Sequence, residues 1–242
     1  MSLRRFVSVC VVTFLIATLQ SAPVYAQAVS NESHITDELR NELYGINYIR
    51  NATTLQMEDI IDVTDRAINT IYRYSDALSI GNAASAKGWK SILESQYSSL
   101  LAARSKIYPG VLQMFLDASP SFSSSVKTNK MLTPTELVQG LDTLISGVAY
   151  SVYLLESDDP LWLDHHTALG DYYLVLWDNV KRYNLIAGEI TSAILLNQAL
   201  PYVITFSEPC KTLPSLEVPW TTPPASLPPV TQQPSSLLQP PS

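Results

Sequence analysis

The stretch SDDPLWLDHH, residues 157–166, holds the densest set of reactive side chains in the chain, three aspartates and two histidines within ten positions. Carboxylates and imidazoles can ligate a divalent metal or move a proton, and either use needs them gathered on one face. On a helix that begins after Pro160, each residue turns about 100° from the last, so adjacent His165 and His166 diverge. Asp164 and Asp171 share a face that excludes His166. The metal-dependent enzyme this stretch could support would therefore use Asp164, His165 and Asp171. Good helical ligand pairs stand three or four apart, as in HExxH, and none stands so here. The spacing instead places His166 on an apolar stripe between Trp162 and Leu169, as a core histidine satisfied by hydrogen bonds, with His165 turned toward Asp164 or solvent. Asp158 and Asp159 before Pro160 read as the start of that helix, where the dipole favours negative charge.

A second acidic group, Glu58, Asp59, Asp62 and Asp65, reads as the solvated first turn of another helix, with Asp62 reaching Arg66 one turn on. The remaining motif searches are empty: the chain has no ExxH, CxxC, GxSxG, GxGxxG or glycine-rich phosphate loop. Three histidines offer few general bases. These absences point away from an enzyme and from a bound cofactor.

The elements that position these residues are helical. Ile35, Leu39, Leu43, Ile46 and Ile49 fall at steps of three and four, and Met57, Ile60, Ala67, Ile71, Tyr74 and Leu78 continue the period in a second segment. A first interhelical turn is expected near Asn51. Trp89, Leu93, Gln96, Leu100, Ala103 and Ile107 mark a third segment ended by YPG, and the short apolar piece VLQMFL follows. The sharpest boundary is LTPTEL: Thr133 as N-cap, Pro134 at the first helical position, Glu136 completing a capping box, and Leu132 and Leu137 as the staple. Leu137, Leu141, Leu144, Val148, Val152 and Leu155 then form a stripe, with Gly140, Thr143 and Gly147 as a ridge that admits a neighbouring helix. The last helix carries Trp162, Leu169, Tyr173, Leu176, Val180, Tyr183, Ala187, Ile190 and Ile194 on one face, and Gly188 is a candidate break. Asn-Gly and Asp-Gly hairpin signals are missing, and YVITF, residues 202–206 after Pro201, is the one β-like string. The expected fold is an all-α antiparallel bundle of five or six helices.

Both ends differ from this body. Arg4 and Arg5, the apolar run of residues 6–19, and VYA ending at Ala26 have the order of a secretory signal peptide, expected over residues 1–26. Its apolar run is shorter than the roughly 20 residues of a membrane span, so no stable span is expected once it is removed. The bundle is expected over residues 27–206. Residues 207–242 are rich in Pro, Ser and Thr and uncharged after Glu217, a composition that predicts an extended, disordered tail. Its prolines never stand at PxxP spacing.

Charge and cysteine usage narrow the function. The net charge of −7 becomes more negative when Arg4 and Arg5 leave, and such a chain repels phosphate backbones, which excludes nucleic acid. Cys10 lies in the signal, so Cys210 is left as a free thiol and the exported domain is held by its core alone. Asn31 and Asn51 head sequons, glycosylation acceptors if the source is eukaryotic. The reading these features support is a secreted, non-enzymatic interaction protein with a protein partner, extracellular, or periplasmic or wall-associated in a bacterium. Faces rich in Tyr and Trp also allow a carrier of a small apolar ligand in the bundle interior.

Overall fold

The computed structural model describes residues 35–198, 203–219 and 223–227. The expected signal peptide and the Asn31 sequon lie outside the described residues, as does the chain beyond residue 227. The described residues form an all-α antiparallel bundle with no β-strand among them. Its helices are α1 (Asp37–Ala52), α2 (Glu58–Ser79), α3 (Ala83–Arg104), α4 (Pro109–Asp117), α5 (Pro120–Thr128), α6 (Pro134–Glu156) and α7 (Trp162–Leu195).

The expected turn near Asn51 does not exist. α1 and α2 are joined by a π-helical turn, Thr53–Met57, into one rod, and Asn51 is an exposed residue on its flank. The buried positions Ile49, Thr53, Met57 and Ile61 explain this. Three successive steps of four would drift around an α-helix, and the wider π turn takes up the drift so that one stripe serves both halves. The Thr53 hydroxyl lies 3.0 Å from both Ile49 O and Arg50 O, carbonyls that also accept the Thr53 backbone N–H. With α1 and α2 fused, the bundle has six rods.

α6 forms as its sequence requires. Thr133 N donates to Glu136 Oε2 at 2.8 Å and Glu136 N donates to Thr133 Oγ1 at 3.3 Å, and these bonds hold the Glu136 carboxyl below its usual range. α6 lies at the centre, buried on nearly every side, and contacts α2, α3, α4 and α7. Its glycines set the approach of α7: a Cβ on Gly140 would stand 2.7 Å from Leu176 Cδ2, and one on Gly147 would stand 2.7 Å from Leu169 Cδ1. α7 runs unbroken past Gly188, because a single glycine in a well-packed 34-residue helix costs only about 1 kcal/mol.

The acidic pair after α6 has a different role from the one expected. Asp158 adopts φ +54°, Asp158 N donates to Leu155 O at 3.3 Å and Asp159 N donates to Leu154 O at 2.9 Å. This is a left-handed C-terminal cap of α6 rather than the N-cap of α7, which starts later, at Trp162. Asp and Asn tolerate the left-handed region better than most residues, which fits Asp158 here and Asn197 after α7.

The expectation of disorder over residues 207–242 does not hold for residues 207–219 and 223–227, and the rest of that tail lies outside the described residues. Residues 203–219 and 223–227 lie extended along the bundle as a strap. Asn129 holds one end: its Nδ2 donates to Ile204 O at 2.7 Å, its Oδ1 accepts from Phe206 N at 2.8 Å, and its O accepts from Cys210 N at 3.0 Å. Leu213 and Leu216 approach the Gly140 and Gly147 gaps, and Tyr97 OH donates to Pro224 O at 2.8 Å. The strap is therefore part of the packed body, and the domain extends past residue 206.

Candidate functional site

His165 and His166 open α7 and are both buried against α6. His165 Nε2 lies 3.2 Å from Gly147 O, where the missing side chain leaves a helix carbonyl within reach across the seam. His165 is thus directed inward, not toward Asp164 or solvent as its helical angle implied. His166 Nδ1 lies 3.2 Å from Ser151 Oγ, and its ring meets the Tyr72 ring at 89° with centroids 4.4 Å apart. Burial lowers the basicity of both, and the neighbouring His165 adds to the effect on His166, which is pushed down to about 4. Both imidazoles are neutral at pH 7.

Ser151 and His166 have the partners of a nucleophile and its base, but the pair is sealed. Ser151 is 0% exposed and His166 1% exposed, and His166 Nε2 is buried with no hydrogen-bond partner. A hydrolase needs a path for substrate and a third group to orient the imidazole. Here Tyr72 and Trp162 pack on the ring instead. The arrangement locks the start of α7 onto α6.

The other residues of the opening stretch are not gathered. Asp164 and Asp171 are exposed while His165 faces the interior, and no three metal-ligating side chains cluster among the described residues. Glu58 accepts a hydrogen bond from Asn184, whose Oδ1 also accepts from Thr53 and from Thr54 at 3.1 Å, tying α7 to the π turn. Asp62 and Arg66 are both exposed and unpaired with each other. The buried acid is Glu156, whose Oε1 accepts from Tyr74 OH at 2.7 Å and Lys90 Nζ at 2.9 Å, joining α2, α3 and α6. The void inside the bundle beside Thr53, Met57 and Tyr183 is about 10 Å³, no more than a single water needs.

Cys210, within the strap, is a free thiol 7% exposed on its bundle-facing side. Burial pushes it up to about 11, the nearby Arg182 cation partly opposes that, and Asp178 adds to it. It is protonated and shielded.

The outer face of α7 lines up several exposed apolar side chains on one helix. Residues 163, 167, 170, 174, 177, 181, 185 and 188 fall within about 40° of one line along the helix. Leu163 is 47% exposed, Leu174 52%, Trp177 38% and Leu185 56%. Gly170 and Gly188 interrupt them, and a Cβ on either would meet nothing within 4 Å. Lys181 lies over the Trp177 ring, 3.6 Å from its centroid. The strap borders this face through two grooves, about 470 Å³ beside Asp171, Leu174 and Lys211 and about 270 Å³ beside Lys181, Leu185 and Phe206. Arg182 spans the border: its Nε is 2.9 Å from Asp178 Oδ2, its guanidinium lies over Phe206, and it donates to Glu208 O. This second apolar line was readable from sequence, since Leu163, Leu174, Trp177 and Leu185 recur at helical steps opposite the core stripe.

The class these features define is an all-α bundle closed by an extended strap, with one helix bearing apolar side chains on both sides. No protein-family model matches the chain, and no curated protein or solved structure is similar to it.

Proposed function

We propose that this protein is exported and acts without catalysis, by docking a partner on the outer face of α7. The observation that carries the reading is that face: four large apolar side chains along one line of the longest helix, each more than a third exposed, with the open Gly170 among them. Several exposed apolar side chains aligned on one helix face suggest an interaction site, whereas single exposed leucines are ordinary. Export is supported by Arg4, Arg5, the apolar run and the VYA boundary. No helix among the described residues is long and apolar enough to cross a membrane. The absence of catalysis is supported by the sealed Ser151–His166 pair and the scattered carboxylates.

A photoreactive amino acid placed at position 174, with an equal probe at exposed Lys87 on α3 as control, tests the reading in native extracellular material. The expected result is a discrete adduct from position 174 that the control lacks. Equal, diffuse labelling from both positions overturns it.

A further inference from the structure

We infer that the outer face of α7 packs against the same face of a second copy of this chain, the two helices antiparallel about a twofold axis at Leu174. This rests on the docking reading above and names its partner. A twofold interface is self-complementary: a residue a given distance before the axis meets the residue the same distance after it on the other copy. Leu163 and Leu185 stand equally far from Leu174 on its two sides, and so do Thr167 and Lys181. Leu163 of one copy then faces Leu185 of the other, and Leu174 meets its own counterpart. Gly170 and Trp177 stand four before and three after the axis, which brings the indole over the open glycine of the second copy.

The same symmetry brings Lys181 opposite Thr167, within one turn of exposed Asp164 and Asp171 on the second copy, and sets Asp171 near Asp178 of that copy, a carboxylate already held by its own Arg182. A parallel pairing would instead set Lys181 against Lys181 and Trp177 against Trp177. A basic helix from another protein would satisfy the two aspartates, but nothing in the spacing of this face calls for one. The face from Leu163 to Leu185 is about 33 Å long. Helix pairing over that length belongs at the small end of stable interfaces, so the dimer is sought at micromolar concentrations.

Sedimentation velocity on the full chain, from about 1 to 200 µM, tests the inference. The expected result is a concentration-dependent rise to twice the monomer mass. Gly170→Met is the decisive variant, because its side chain meets open space in the monomer and fills the seat of Trp177 in the pair. It should leave the circular dichroism unchanged and weaken dimerisation at least about tenfold, while Gly88→Met on α3, equally open, leaves it intact. Lys181→Asp should weaken the dimer, and Asp171→Lys in the same chain should restore part of the loss. A monomer at every concentration, or a dimer indifferent to Gly170→Met, overturns the inference. If in that case the probe at position 174 still captures one other protein, the docking reading stands without the second copy. If the probe captures nothing, both fall.

Discussion

Acidification should destabilise this bundle through His166, starting above the pH at which its carboxylates are protonated. His166 is 1% exposed and neutral in the fold, with its basicity pushed down from 6.5 to about 4. The unfolded chain takes up this proton near pH 6.5, the folded chain only near pH 4, so between those values the unfolded state binds more protons. Stability therefore falls as pH falls through that window, is flat above it, and stops changing for this group below about pH 4. At 1.36 kcal/mol per unit, a shift of this size amounts to about 3 kcal/mol, a large share of an ordinary domain's stability. His165 is shifted in the same direction by burial and steepens the same limb. No carboxylate is bonded to either ring to offset the new charge; the neighbours are Ser151, Gly147 O and the rings of Tyr72, Tyr150 and Trp162. The assay is urea unfolding between pH 8 and pH 4, with the imidazole resonances of His166 titrated by NMR. His166→Met should remove most of the slope between pH 6.5 and pH 4 while leaving His165 to titrate. A native titration midpoint near 6.5, or an equal slope in His166→Met, would refute the reasoning.

Glycines separate two kinds of site. Gly147→Ala should cost about 1–3 kcal/mol, since its Cβ would stand 2.7 Å from Leu169 Cδ1 and 3.0 Å from Leu216 Cδ2, whereas Gly88→Ala, with nothing near, should gain about 0.5–1 kcal/mol; calorimetric Tm values should move in opposite directions. Cys210 should be alkylated slowly at pH 8, because burial pushes the thiol up to about 11. Replacing Leu213 and Leu216 by Ser should loosen the strap and speed its labelling about tenfold or more, read by mass spectrometry of the Cys210 peptide. Unchanged labelling would show that the strap does not shield the thiol.

The helices were legible wherever side-chain period and cap chemistry agree. Thr133, Pro134 and Glu136 mark the start of α6 to the residue, and Gly140 and Gly147 announce the close approach of α7. α5 was missed although Ser119 and Pro120 carry the same N-cap and first-turn pattern, because its middle reads SFSSSV and shows little apolar period. The fusion of α1 and α2 was missed because two stripes out of phase look like two helices, while a π turn corrects the phase without a break. His166 is buried as expected, although only its Nδ1 has a hydrogen-bond partner, and His165 is not where its helical angle put it. Its helical angle points off the stripe, and only a glycine on the facing helix gives it a carbonyl to reach.

The strap shows where compositional reasoning stops. A segment that must build its own core from PCKTLPSLEVP cannot offset its chain entropy, and composition alone predicts disorder. This segment builds no core. It places a few side chains into sites the bundle has already formed: Leu213 and Leu216 at the gaps of Gly140 and Gly147, Cys210 under cover, and backbone groups on Asn129. Its prolines lower the entropy lost on ordering, since their φ is already fixed. The glycine ridge of α6 therefore serves two partners, α7 on one flank and the strap on the other. The same logic applies to the outer face of α7, where Trp177 is more than a third exposed and Gly170 lacks, among the described residues, the neighbour that Gly147 finds in Leu169 and Leu216.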